Sequence, residues 1–576
     1  MSGPFITGTA GSGTGQYFTD GSSNPIMVRA DTVWALPVNA GAAGGAVTWQ
    51  NDIDNYMSTR ASQGFNATEI AVPPTSVHGA VSDNGETWDG ILPFASGNPG
   101  SLTSGYWARV DYLLTSAQNQ NMTVFMNVAT TTAIDNSGGA LYNKTTTQFQ
   151  NYGTALGNRY KTYPNVIWIV GEDYFGTYDS RLTALLTGIR SSGDTHMVSI
   201  ENYDESTSRF DIYNNNVMAW GTTYAQYNTC YSYNTGYNVI EYAYGEASPL
   251  TVLHSDGYYD QGNAGDNTYR SFCRNLLWWS LSSGSRGFLY GREAIYGWDT
   301  SALTNLTNNT FDNSDLNTIW NTFASLPGWH LLVPDTGSTL VTAGRGTHKA
   351  MIASGGAGTQ YTGGNTYVTA GITADGTLAV IYIPSNATIT VSDTQMAKPY
   401  VAKWIDPVNG AVTTATKAST YNHSGTNSAG AADWLLVLQS TVPETSPALE
   451  VSGFGSFAGI DSTSIINSVT VSIGEFQSTS AMGACTFQLW DAGTAQIGTT
   501  QTGTASTSSS NVSTATFTGV SYSQLATLRV RIFGHQGTAS AGATESVDYV
   551  SLTVNYSSSA TVSGYAGVWT AVVVCG

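Results

Sequence analysis

Basic residues are scarce in this sequence: 20 Lys and Arg stand against 39 Asp and Glu over 576 residues, a formal net charge of −19. No Lys/Arg stripe gathers the few that exist, so a phosphate backbone meets a repelling field and nucleic acid is not an expected partner. Charge of either sign is thin, at 10% of residues against about a quarter in ordinary soluble domains. Cysteine is nearly absent. Cys230, Cys273, Cys485 and Cys575 lie far apart with no CxxC, and no histidine stands at metal-ligand spacing, so no metal site is expected. Disulfides and isolated buried thiols both remain open for the four. No stretch approaches the roughly 20 apolar residues of a membrane span. The opening MSGPFITGTAGSGTGQYFTDG carries neither a basic nor an apolar leader region.

What is abundant is Gly, Ser, Thr, Asn and aromatic surface, with 63 Gly, 33 Tyr and 15 Trp. That profile suits a rigid, hydrogen-bonding exterior working outside a cell and leaves neutral glycans open as ligands. An extracellular composition without a visible export signal fits a virion protein released by lysis, and equally a secreted protein whose leader has been removed.

Up to about residue 340, short β-rich runs alternate with helix-period stretches. Eight strands are predicted, at PIMVRAD (25–31), ATEIAV (67–72), MTVFMNV (122–128), NVIWIV (165–170), HMVSIE (196–201), NVMAWG (216–221), NVIEYAY (238–244) and RGFLYG (286–291). Helical spacing shows between them, as in Leu182, Leu185, Leu186 and Ile189. Eight β/α units in one stretch predict a (β/α)8 barrel over 1–340, and no GxGxxG follows the first strand to argue for an open dinucleotide-binding sheet or its cofactor. Residues 341–440 turn to short alternating strands and predict a small antiparallel β-sandwich. TVPETSPA (441–448) reads as a linker, and 441–576 as a second, jelly-roll-like β-sandwich with a Gly/Ser-rich tail.

In a parallel barrel the carboxyl ends of the strands form the working face. Acids standing there are Asp31 after the first strand, Glu172 and Asp173 after the fourth, and Glu241 and Glu246 on the strand predicted as seventh. Two carboxyls about 5 to 5.5 Å apart across a barrel mouth would support glycosidic cleavage with retention. Each acid also has a plainer reading: Asp173 as a helix cap, Asp31 as a satisfied buried acid, Glu241 and Glu246 as solvated loop acids. Trp34 and Trp298 would serve for sugar stacking or simply fill core, and Asn127 closes the third strand.

Several blocks taken in order resemble one family. YFTDGSSNPIMVRADTVWAL (17–36), DIDNYMSTRASQGFNATEI (52–70), NVIWIVGED (165–173) and RSFCRNLLWWSLSSGSRGFLYGREAIYGW (270–298) are similar to the opening, second-unit, fourth-strand and closing motifs of the apiosidase-like glycoside hydrolases. ADGTLAVIYIPSNATITV (374–391) and AKWIDPVNGAV (402–412) resemble the collagen-binding-like β domain that often follows. The resemblance implies a barrel hydrolase with Asp173 as acid/base and Glu246, in YGEASP, as nucleophile, with Glu172 and Glu241 as rivals. It sets Asp31, Tyr290 and Arg292 in the substrate pocket, which we take to include Trp34, Asn127 and Trp298. The chain departs from the family in carrying Gly-Glu-Asp for Gly-Gly-Asp, Ala247 for a proline, Ile200-Glu201-Asn202 for Tyr-His-Pro, and Arg292 for a histidine.

SFAGIDSTSIINSVTVSIGEF (456–476) and the closing SVDYVSLTVNY (546–556) resemble the jelly-roll domains of phage tail and receptor-binding proteins. The combined expectation is a cofactor-free, tail-associated enzyme of a virion, a homo-oligomer such as a trimer, contacting other tail proteins and acting on host cell-surface polysaccharide. The alternatives are a glycan-binding tail protein whose catalysis has lapsed, and a secreted bacterial glycosidase bearing a carbohydrate-binding module.

Overall fold

The computed structural model describes residues 4–42, 48–174, 176–211, 216–257, 259–260, 267–308, 311, 315–349, 365–440, 449–452, 454, 460–477, 483–491, 495–535, 545–557 and 567–571. The chain forms two compact units, one of Met1–Met396 with Ala402–Gln439, the other of Ala397–Val401 with Ser440–Gly576.

The first unit is built on eight parallel strands in chain order: Val28–Thr32, Ala67–Ala71, Thr123–Asn127, Val166–Tyr174, Val198–Asn202, Asn228–Ser232, Val252–Gly257 and Gly287–Gly291. The eighth pairs with the first, Leu289 opposite Ala30. Side chains bridge the seam between fifth and sixth, where Ser208 Oγ donates to the Ile200 carbonyl at 2.8 Å and Ser199 Oγ to that of Tyr227 at 2.7 Å. The result is a (β/α) barrel, as the strand count predicted. Alternate strand residues face inward, among them Ala30, Phe125, Ile167, Ile169, Leu253 and Leu289. Their neighbours Ile70, Met126, Trp168, Val198 and Tyr290 pack outward against the helices.

A hairpin of Ile6–Ala10 and Tyr17–Asp20 closes the amino-terminal end of the barrel. Its Ile6 and Phe18 join the interior cluster. The Ile6 amide donates to Thr123 Oγ1 at 3.0 Å, and Arg286 Nε to the Gln16 carbonyl at 3.0 Å, so the plug is bolted to the first residue of one strand and the approach to another.

Two predicted strands are helical instead. NVIEYAY lies in the helix Tyr237–Tyr244, where Val239, Ile240, Ala243 and Tyr244 share a cluster with Cys230 and Val252. Spacing of one, four and five residues is the signature of a helix face, and burial of that face overrides the β propensity of its Val, Ile and Tyr. NVMAWG gives the short strand Asn216–Val217 and then the helix Ala219–Tyr224. The sixth and seventh barrel strands are NTCYS and VLHSDG, whose polar residues hide a strand when inward positions are expected to be apolar.

Between residues 332 and 440 the chain forms a six-stranded and a three-stranded antiparallel sheet. They sit on the barrel through the buried pair of Arg274 and Asp433, bidentate at 2.9 Å, and through Trp279 Nε1, which donates to the Tyr367 carbonyl at 2.9 Å. The β layer thus begins at Leu332, a little before the expected boundary at 341. In the second unit two four-stranded sheets share one buried cluster that includes Val469, Phe487, Phe517, Val530 and Val550. Part of the expected tail is a strand, Gly567–Ala571, paired with Glu545–Ser557. Cys230, Cys273 and Cys485 are buried, and Cys575 lies outside the described residues. Among the described residues no helix is long and apolar enough to cross a membrane.

Candidate active site

The fourth strand delivers its acids by breaking its own ladder. Gly171 pairs with Glu201 and Tyr174 with Asn202, so Glu172 and Asp173 are two extra residues inserted against a partner strand that has none to match. The backbone turns left-handed through all three positions, with φ of 90° at Gly171, 99° at Glu172 and 48° at Asp173. A bulge of this kind re-aims side chains at a strand's end, and positive φ at two non-glycine residues costs on the order of 1–3 kcal/mol each, which the surrounding packing must offset. Gly171 is obligatory: a β carbon there would stand 2.6 Å from the Glu201 carbonyl oxygen.

Both acids reach a cavity of about 220 Å³ whose wall includes Trp34, Val77, His78, Tyr231, Tyr233, Tyr259, Glu293 and Tyr296. These residues follow the first, second, sixth, seventh and eighth strands or end them, so the cavity opens on the carboxyl face of the barrel. The aromatic walls are braced against one another. Trp34 Nε1 donates to Tyr259 Oη at 2.6 Å, Tyr231 meets Tyr233 edge to face at 5.1 Å, and Tyr259 meets Tyr296 at 5.6 Å. Apolar ring faces beside hydroxyl tips suit a sugar, which offers C–H faces and a rim of hydroxyls.

Glu172 is firmly held. Thr132 Oγ1 donates to its Oε2 at 2.9 Å and His78 Nε2 stands 2.7 Å from its Oε1. Burial pushes its carboxyl up, but His78 and Thr132 outweigh burial and leave it below the ordinary glutamate value.

The other acids predicted from sequence lie elsewhere. Glu246 follows the helix Tyr237–Tyr244 at the turn leading into the seventh strand, the amino-terminal end of the barrel. There it accepts from Thr207 Oγ1 at 2.7 Å and from Asn228 Nδ2 at 3.1 Å, with Arg209 Nη1 at 3.3 Å. Burial raises its carboxyl despite these partners. Glu241 sits on that helix, 2.9 Å from His348 Nε2. Assigning NVIEYAY to a strand is what put both at the mouth. With the seventh strand at Val252–Gly257, the acid at its carboxyl end is Asp256. Tyr231 pairs with Ser255 and Ser232 with Gly257, so Asp256 is also an unmatched residue in its ladder.

Asp31, expected in the pocket, faces outward and pairs with Arg60 at 2.6 Å, both side chains fully buried between strand and helix. Tyr290 also points into that layer, its hydroxyl donating to Asp260 at 2.5 Å. Arg292 is buried with Nη1 on the Asn305 carbonyl at 2.7 Å. Trp298 is core, edge to face with Tyr56 at 5.5 Å. Asn127 is fully buried at the inward end of the third strand, its amide making no hydrogen bond among the described residues. Trp34, Glu172 and Asp173 are the predicted residues that do line the cavity. Sequence reasoning missed His78, Glu293 and the four tyrosines. Glu293 and Tyr296 lie inside the block GREAIYGW that was singled out for Arg292, and their offsets from the strand end were the usable signal.

A family model described as the apiosidase-like catalytic domain matches residues 12–333. No curated protein sequence matches the chain. Among solved structures, a glycoside hydrolase family 5 protein from Bacteroides vulgatus superposes with a TM-score of 0.59 at 17% identity, covering 75% of this chain and 94% of its own. Another, described simply as a glycoside hydrolase, gives 0.57 at 17% identity, covering 76% and 97%. At such identities these likenesses speak for the fold.

Proposed function

The chain belongs to the apiosidase-like catalytic-domain family of glycoside hydrolases, and from that premise we propose that it cleaves glycosidic bonds of a cell-surface polysaccharide with two carboxylates and retention of configuration. Asp173 protonates the departing oxygen. A second carboxylate on the same face attacks the anomeric carbon, with Asp256 the candidate by its place in the seventh strand, and Asp173 then deprotonates the water that releases the sugar. The observation that carries this reading is the two-residue bulge that presents acids to an aromatic-walled cavity on the working face. Fourth and seventh strands stand across the barrel from each other, the arrangement a pair of opposed carboxylates requires.

The acidic, charge-poor composition favours a neutral glycan over a polyanionic one. The all-β second unit fits an attachment role, on a virion tail or on a secreted enzyme.

Purified protein assayed against a panel of envelope polysaccharides, with product analysis, tests the proposal. Asp173→Asn and Asp256→Asn should each lower kcat by at least about a thousandfold with folding intact, and azide should rescue Asp256→Asn as a glycosyl azide. Glu246→Gln, altered at the far end of the barrel, should keep kcat within about twofold of wild type. A wild type that binds a glycan on the panel and cleaves none would replace this reading with a receptor-binding one.

A further inference from the structure

Two consecutive acids share one cavity, yet a glycosidase needs a single proton donor on this side of the bond. The surroundings of Glu172 are specific enough to assign it a different task. Its φ of 99° is a conformation glycine adopts freely and glutamate does not, so a glutamate here carries strain that its surroundings must offset. The Thr75 amide donates to His78 Nδ1 at 2.9 Å, and His78 Nε2 stands 2.7 Å from Glu172 Oε1. Thr75 Oγ1 in turn donates to Thr132 Oγ1 at 3.2 Å, tying together the two groups that hold the carboxylate. The Trp34 ring lies 5.4 Å from the imidazole and bounds it on the cavity side. A carboxylate gripped at both oxygens has little freedom to follow a leaving group.

Resting on Asp173 as the acid, we propose that Glu172 is a positioning residue: a fixed anion, clamped by His78 and Thr132, whose charge makes the adjoining Asp173 the carboxyl that retains its proton until a glycosidic oxygen arrives. A like charge beside a carboxyl favours its protonated form. The lowered carboxyl of Glu172 is consistent with its being the ionised member. The other titratable groups around the pair include His78, with Asp83 behind it, the buried Glu201 on the adjacent strand opposite Gly171, Glu293 and Tyr231, Tyr233, Tyr259 and Tyr296 on the cavity wall, and Asp179 on the following helix, bonded to Tyr174. His78 and Thr132 touch the Glu172 carboxylate, so changing Glu172 itself perturbs the arrangement most directly.

Infrared titration of the intact protein reads this without any substrate. The protonated-carboxyl stretch of Asp173 is assigned by its disappearance in Asp173→Asn and followed against pH. Glu172→Gln, which keeps size and hydrogen bonding but drops the charge, should move the Asp173 midpoint down by about one pH unit. Thr132→Val, which removes one of the groups holding the Glu172 carboxylate, should move it the same way by less. The basic limb of the kcat/KM profile should shift with it. A midpoint unmoved in Glu172→Gln, with an unchanged urea midpoint proving the fold sound, overturns the proposal. So does azide rescue of Glu172→Gln turnover, which would put Glu172 in the catalytic pair, as nucleophile if the glycosyl azide is inverted and as acid/base if it is retained. Failure of the underlying reading looks different: Asp173→Asn would then keep full turnover whatever its neighbour does.

Discussion

Asp31 illustrates how one residue can look catalytic in a motif and be structural in space. It ends a barrel strand in the right block, but strand alternation turns it outward onto Arg60, and both side chains are fully buried. Removing one partner of such a pair leaves a charge without compensation in a dry layer, at a cost of about 3 kcal/mol or more. Asp31→Asn should therefore lower the urea midpoint clearly while leaving KM unchanged in the fraction that folds; a raised KM at unchanged stability would return Asp31 to the substrate pocket.

At the scale of elements, six of the eight strands were legible from propensity and length, each carrying β-branched or other apolar residues at its core positions. The sixth and seventh were not, because NTCYS and VLHSDG carry polar residues through the barrel wall, while the amphipathic helix Tyr237–Tyr244 is written in β-branched and aromatic residues. The candidate site inherited that error. Its fourth-strand half was found because an apolar run ending in two acids needs no register to be read; its seventh-strand half depended on knowing which segment was the strand. The bulge itself makes a prediction. Gly171→Ala forces a β carbon against the Glu201 carbonyl at positive φ, so the acids should be re-aimed, with kcat falling at least about tenfold and stability by about 1–2 kcal/mol. On the seventh strand, His254 is fully buried and burial lowers it from 6.5 to about 4. The unfolded chain takes up that proton first, so folding stability is complete above pH 6.5 and declines as pH falls towards 4, by about 3 kcal/mol from this group. Denaturant titrations at pH 7.5 and pH 5 should show the loss in wild type and a smaller one in His254→Gln.

For the whole molecule, two compact units with separate hydrophobic clusters should melt as two calorimetric transitions. A sugar that occupies the cavity should raise the transition of the barrel unit and leave the other where it was; a single transition that shifts as one would show the units to be thermodynamically coupled. The hairpin carrying Ile6 and Phe18 has a further consequence. Among the described residues the hairpin stoppers the base of the barrel, and the cavity opens at the other end. On the proposed reading, sugar arrives and leaves at the carboxyl face, so end-product should slow turnover by competing with incoming substrate for the cavity.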